Sequence, residues 1–357
     1  MAPSRPLVVV HDETLLDEVL RVAAAVGCEP ERVPDHVAAG ARWTTAPLVV
    51  IDEDVLREGD PPPRARGVLL VCKGSLGTPG WQRALRSRVE RVVVLPDDEA
   101  ELVSAFADVL DGPPRAPGRV AAVLGGRGGA GASVFAAAMA VTHCRSGGDS
   151  LLVDCDSLGG GIDLLLGAEA AVGLRWPQLR LGGGRIALAA LRKVLPTQRH
   201  GPGSLAMVSC DRGGAGPTAA AVASVVDAGR RAGHVVVCDV ARHLDPAGAE
   251  AVGRADLVVL MVPAEVRACV AARRVLMLLH ERSANVRLVV REPGPDGLVA
   301  EEVAERLEIP LLARLRSRRG VPPALERGLP NARRGSLADA ATVALGALHH
   351  PKEVAPV

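Results

Sequence analysis

Two doubly wound parallel-sheet α/β domains in tandem are the fold predicted for this chain of 357 residues, and three observations carry the prediction. Short continuous Val/Leu/Ile runs alternate with helical patterns along most of the sequence. Runs apolar on both faces belong to strands covered on both sides, and the helices between them make parallel crossovers. The alternation breaks once, at the Pro/Gly-rich "DGPPRAPG" of 111–118, which has no apolar periodicity. The length exceeds what one core usually serves.

In chain order, the domain predicted over 1–110 opens with the strand "PLVVV" and the helix "ETLLDEVLRVAAAVG". The strands "APLVVIDED", "RGVLLVCKG" and "VERVVVLP" follow, then the helix "DDEAELVSAFADVL". After the linker of 111–118, a domain over 119–348 begins with the strand "RVAAVL", a Gly-rich loop and the helix "SVFAAAMAVTHCRSG". It continues through "SLLVDCD", "LAMVSC", the helix "PTAAAVASVVDAGRRAG", "HVVVCDV", "ADLVVLMVP", the helix "VRACVAARRVLMLLHERS" and "NVRLVVRE". The helix "LVAEEVAERLE", the strand "LLARL" and the helix "SLADAATVALGALHH" close it, leaving 349–357 as a tail. Ligands of such a sheet are expected beyond the carboxyl ends of its strands.

Composition narrows the function classes. With 48% hydrophobic and 23% charged residues the chain folds, and with 1% aromatic its core is built from Val, Leu, Ile and Ala. The formal net charge of +1 and the scarcity of aromatic residues argue against a nucleic-acid binder. Seven scattered cysteines without a CxxC pair read as buried, reduced thiols, and no apolar run is long enough to span a bilayer. A cytoplasmic protein without direct membrane insertion is the expectation. Only three of the 42 basic residues are lysines, a bias that turns Lys into Arg but not into Ala.

The segment "VAAVLGGRGGAGASVFAAAMA" is strand, Gly-rich turn and helix, the context of a phosphate-binding loop. Its glycines let successive N–H groups face one anion at a helix N-terminus, and Ser133 stands where a hydroxyl would ligate Mg²⁺. A ligand-free Gly-rich turn is the competing reading of the loop alone. Asp154, Asp156 and Asp163 follow the next strand and Asp239 ends a fully apolar one, the order expected of acids around a nucleotide-bound magnesium.

Order and spacing resemble the MinD/ParA class of P-loop ATPases, whose deviant Walker A motif reads KGGxGK followed by Thr or Ser. "RGGAGAS" (127–133) lies on it, with Arg127 for the signature lysine and Ala132 for the phosphate-loop lysine. "LLVDCD" with "GGIDLLLG", "ADLVVLMVPAEVRACVAARRVL" and "IPLLARLRSRRGVPPALERGLP" extend the match over the second domain. Within the class, "GRGGAGAS" and "VGLRWPQL" (172–179) resemble the CpaE-like septum site-determining proteins called Ssd, encoded near Tad-type pilus and secretion genes.

The resemblance implies ATP and Mg²⁺ as cofactors, held by Gly126, Arg127, Gly128, Gly129, Ala130, Gly131, Ala132 and Ser133. Ser133, Asp154 and Asp239 would serve the metal, and Asp156 and Arg127 the chemistry. It also implies a homodimer, protein partners in the division or Tad secretion machinery, and recruitment to the septum or membrane by such a partner. Ala132 removes the cation that neutralises growing phosphate charge, so weak binding and little or no hydrolysis are expected. "DVAR" (239–242) also lacks the Pro-Ala-Gly that usually follows the Walker B acid. An active ATPase using Arg127 and a ParA-like DNA-partitioning protein are the rival readings.

Residues 6–110 resemble a CheY-like receiver. Asp12 follows the first strand and Asp52 and Asp54 the third, but Pro96 and Asp97 stand where a lysine belongs after the fifth. With no cation there to pair with an aspartyl phosphate, a non-phosphorylated pseudo-receiver is expected. The stretch 313–336 carries seven arginines and one glutamate, a DNA, lipid or partner contact or else a solvated rim. His349 and His350 are expected in the tail.

Overall fold

The computed structural model describes residues 5–58, 67–112, 116–179, 181, 185–283, 285–292, 298–316 and 335–350. The chain divides into a first unit of Met1–Pro113 with Gly184–Leu191, and a second of Pro114–Gly183 with Arg192–Val357.

In the first unit, β1 (Leu7–Val9), α1 (Glu13–Val26), β2 (Glu31–Arg32), α2 (His36–Ala39), α3 (Arg42–Thr45) and β3 (Val49–Ile51) come first. α4 (Glu53–Glu58), β4 (Val68–Lys73), α5 (Thr78–Arg86), β5 (Arg91–Leu95) and α6 (Glu99–Asp111) complete it. All five strands are parallel, in the order β2-β1-β3-β4-β5. β2 was not legible in the sequence. It is a two-residue, partly exposed edge strand, Glu31–Arg32, held by pairing with Leu7 and Val8 rather than by apolar burial. One core layer gathers Leu16, Val19, Leu102, Phe106 and, from the later stretch of chain, Ala187. The N–H of Leu188 donates to Asp111 Oδ1 at 2.9 Å. The expected domains of 1–110 and 119–348 therefore need correcting: the chain returns to the first unit at 184–191, a short stretch with no strand signal of its own.

The second unit begins with β6 (Val120–Gly125), α7 (Ala132–Arg145), β7 (Ser150–Cys155) and α8 (Ile162–Leu165). α9 (Leu188–Val194), at whose Leu191 the chain crosses between units, leads to β8 (Thr197–His200), β9 (Gly203–Val208), α10 (Ala219–Arg231) and β10 (Val235–Val240). Then come α11 (Pro246–Arg254), β11 (Leu257–Pro263), α12 (Val266–His280), β12 (Val286–Glu292), α13 (Ala300–Leu307), β13 (Leu311–Arg316) and α14 (Ser336–His349).

The strand order is β13-β12-β11-β6-β10-β7-β9-β8, parallel except for the polar hairpin strand β8. β6 sits between β10 and β11, so the chain winds away from it in both directions and a crevice opens at its carboxyl end. α7 is apolar all round, with Phe135, Ala136, Ala137, Met139 and Ala140 buried, because α14 covers the side the sheet leaves open. His349, expected in the tail, instead ends α14 with its ring stacked on His143 at 5.9 Å between centroids. All seven cysteines are buried, and none of them is joined in a disulfide.

Candidate functional site

The Gly-rich loop leaves β6 at the switch point and enters α7 at Ala132. Gly126 has no room for a side chain: a Cβ there would lie 2.8 Å from Ala272 Cβ and 3.0 Å from Val262 Cγ2. Gly129 and Gly131 take φ of 71° and 97°, and at Gly128, Gly129 and Gly131 a Cβ would meet nothing within 4 Å. The loop is thus pinned at its start and open where it faces its cavity. No side chain caps the first turn of α7, so its N–H groups are available to an anion.

That cavity, of about 460 Å³, is lined by the loop together with Asp156, Asp239, Arg242 and His243. An adjoining cavity of about 500 Å³ shares Ser133, Asp156 and Asp239 with it and adds Asp154 and Gly159–Gly161. Asp239 and Asp154 are in-register neighbours on β10 and β7, as Asp239 and Val123 are on β10 and β6. The buried Asp239 carboxyl is pushed up to about 8 by loss of hydration and by Asp154, against the hydrogen bond of Ser133. Asp154 is also raised by burial, but its oxygens are engaged: Cys210 N–H donates at 3.0 Å, Asp156 N–H at 3.1 Å and Ile162 N–H at 3.1 Å.

The basic side chains divide differently from the sequence expectation. Arg127 Nη2 donates to Glu265 Oε1 at 2.8 Å, just after β11. Its charge is therefore matched within the chain, and its Nε is buried without a hydrogen bond among the described residues. Asp163 lies outside the phosphate cavity. It is 3% exposed and forms an ion pair with Arg175 at 3.1 Å. Trp176 is buried and donates from Nε1 to the Asp154 carbonyl at 2.7 Å, so "VGLRWPQL" is tied to the end of β7.

In the first unit, Asp52 is 3% exposed and accepts from the backbone N–H of His11, of Asp12 at 3.1 Å and of Val55 at 3.2 Å. Asp12 caps α1 through Leu15 N–H, and Lys73 Nζ reaches its Oδ1 at 2.9 Å. Bonds from Thr14, Lys73 and Leu15 hold the Asp12 carboxyl well below the usual range. Pro96 and Asp97 do follow β5, and a cation reaches the acids of this unit from another strand. β4 lies between β3 and β5, and Lys73 at its end pairs with Asp12.

Over 343 residues the chain is 42% identical to a Mycobacterium tuberculosis (strain ATCC 25618 / H37Rv) protein with the name "Uncharacterized protein Rv3660c", covering 94% of this chain and 96% of that one. The chain belongs to the Rv3660c-like family. The family's model "Rv3660c-like, CheY-like N-terminal domain" matches residues 9–118. Among solved structures, the Rv3660c-like chain is similar to a ParA family ATPase from Chlorobium tepidum TLS, with TM-score 0.55 and 14% identity over 67% of this chain and 100% of that one. It is also similar to the MinD cell division protein of Aquifex aeolicus, with TM-score 0.51 and 19% identity over 64% and 97% of the two chains. The Pyrococcus horikoshii OT3 septum site-determining protein MinD, a complex with Mg-ADP, matches at TM-score 0.53 and 16% identity over 63% and 93%. At these identities the likeness establishes a MinD/ParA-like P-loop NTPase fold.

The loop of this Rv3660c-like protein fits a polyphosphate, with open space at three glycines above a free helix N-terminus. Among the described residues no group of three or more His, Cys, Asp or Glu is arranged to hold a metal. A magnesium ion there would rest on Ser133, Asp239 and its nucleotide's own oxygens. The raised Asp239 has a measurable consequence. A carboxyl whose folded value of about 8 exceeds its usual 3.8 binds a proton on folding, a contribution present at low pH and lost as pH rises through 8. Urea midpoints of the cation-free protein should therefore fall between pH 5 and pH 8 by more than those of Asp239→Asn; parallel curves would refute the assignment.

Proposed function

We propose that this protein is a MinD/ParA-like regulator whose second unit binds an adenine nucleotide with magnesium but turns it over very slowly or not at all. The carrying observation is an open backbone cradle in which Ala132 replaces the cationic side chain and Arg127 is withdrawn to Glu265. Gly126–Ser133 hold the phosphates, Ser133 and Asp239 serve the metal, and Asp154 acts chiefly as a tether beneath it. Asp156, half-buried, lines both cavities and is the residue to which the resemblance gives the orienting of water. Loss of a charge-assisted hydrogen bond, worth about 1.5 to 3 kcal/mol, weakens binding roughly ten- to a hundredfold and leaves affinities in the high micromolar to millimolar range.

The nucleotide-bound state then works through a homodimer and protein partners, placing the division septum or organising a Tad-type secretion locus as the CpaE/Ssd-like resemblance implies. In that reading the protein is cytoplasmic and is brought to septum or membrane by a partner. Among the described residues no helix is long and apolar enough to cross a membrane. The first unit is a pseudo-receiver, since the Asp52 carboxylate is committed to three backbone N–H groups. The Arg127-driven ATPase is disfavoured by the Glu265 pair. The DNA-partitioning reading rests on 313–336, most of which lies outside the described residues. Calorimetric titration with MgADP and MgATP beside a phosphate-release assay tests the proposal. Binding without appreciable release is expected; turnover at an ordinary rate for the class, or no binding at millimolar nucleotide, overturns it.

A further inference from the structure

The cavity of the Gly-rich loop has a second wall. β10 pairs in register with β6, Val240 against Leu124, so the chain leaving β10 runs beside the chain leaving β6. Residues 239–243 therefore face the glycines across one cavity. Arg242 is exposed, lines that cavity, and has no ion pair with any described residue. Its situation contrasts with that of Arg127, which lines the same cavity but has its charge matched by Glu265 at 2.8 Å.

The charges around the cavity make this contrast matter. Two carboxyl groups, Asp156 and Asp239, line it, and Arg127 with Glu265 is neutral as a pair. A polyphosphate entering such a site meets backbone dipoles on one side and acids on the other. It needs a cation to offset its own charge. A guanidinium suits that role, because it stays charged and its planar fork bonds two phosphate oxygens at once.

We propose that Arg242 is the phosphate-binding cation of this site, so that the charge absent at Ala132 is supplied from the loop after β10 and grips the terminal phosphate of a nucleoside di- or triphosphate. This rests on the nucleotide reading given above. The departure at "DVAR", where the residues usual after the Walker B acid are missing, is then a relocation of charge rather than a simple loss.

The test is calorimetric titration of the full chain with MgADP, AMP and inorganic phosphate, for the wild type, Arg242→Ala, Arg242→Lys and Arg242→Ala/Ala132→Lys. Arg282→Ala, an exposed arginine whose ion pair is with the adjacent Glu281, controls for net charge. Arg242→Ala is expected to weaken MgADP by about ten- to a hundredfold. AMP should lose much less, the urea midpoint should not move, Arg242→Lys should lie between, and Ala132→Lys should restore MgADP binding. Equal MgADP binding by the wild type and Arg242→Ala overturns the Arg242 assignment and leaves the nucleotide reading standing. An equal loss for AMP, or for Arg282→Ala, overturns it as well. Inorganic phosphate binding as tightly as MgADP makes the site one for the free anion and overturns the nucleotide assignment. A wild type that binds no nucleotide at millimolar concentration overturns both readings.

Discussion

Replacing Ala132 by lysine is expected to tighten MgADP and MgATP binding by about ten- to a hundredfold, the worth of one charge-assisted hydrogen bond to phosphate. Ala132 is the first residue of α7, half-buried at the cavity wall beside Ser133, so the longer side chain has solvent-connected space to occupy. The same change places a positive charge at a helix N-terminus, which costs about 0.3 to 1 kcal/mol in the absence of an anion. Two measurements should therefore move in opposite directions. The variant unfolds slightly earlier than the wild type without nucleotide and clearly later with it, because stabilisation by a ligand grows with its concentration over Kd. A variant that stays at wild-type affinity would mean that a lysine at the head of α7 adds no contact to the bound phosphates, either because it does not reach them or because Arg242 already supplies that charge.

Arg175→Ala should be the most damaging single substitution outside the cavity. The guanidinium, 12% exposed, donates to Asp163 from Nε and Nη2, and to the carbonyls of Ala168 at 3.1 Å, Ala171 at 3.0 Å and Gly173 at 2.7 Å. Its removal leaves a buried carboxylate whose remaining basic neighbour is Arg212, half-exposed and 3.5 Å away. Breaking a buried pair in this manner costs about 3 to 5 kcal/mol, a large share of the roughly 5 to 15 kcal/mol typical of a folded domain. Urea denaturation checks the value. The double variant Arg175→Ala/Asp163→Asn should recover part of it, because the uncompensated charge is then gone. A loss below about 1 kcal/mol, the usual range for a surface pair, or no recovery, would show that "VGLRWPQL" does not anchor the acid-bearing loop.

The sheets were readable because their strands are continuous Val/Leu/Ile segments: all six residues of β6 and of β10 are buried. What escaped reading carries no such signature. β8, "TQRH", alternates between partly exposed and exposed and is a strand only because β9 offers it hydrogen bonds. α11 was readable in principle, since Asp245 caps it and Pro246 opens it, the usual order at a helix start. Lys73 was missed because a lysine was sought after the fifth strand, whereas the fold brings the end of the fourth to Asp12, 61 positions away in sequence.

The amino-acid sequence by itself determined the two parallel sheets, the Gly-rich loop at the head of α7 and the absence of its lysine, because buried strands and tight glycine turns are written in contiguous residues. Only the tertiary structure decided where the charges went. Arg127 meets Glu265 across 138 positions of sequence, Asp239 stands in register with Asp154, and Arg242 comes to line the loop's cavity. Ion pairing and burial depend on distance and hydration in space, and neither is encoded by spacing along the chain.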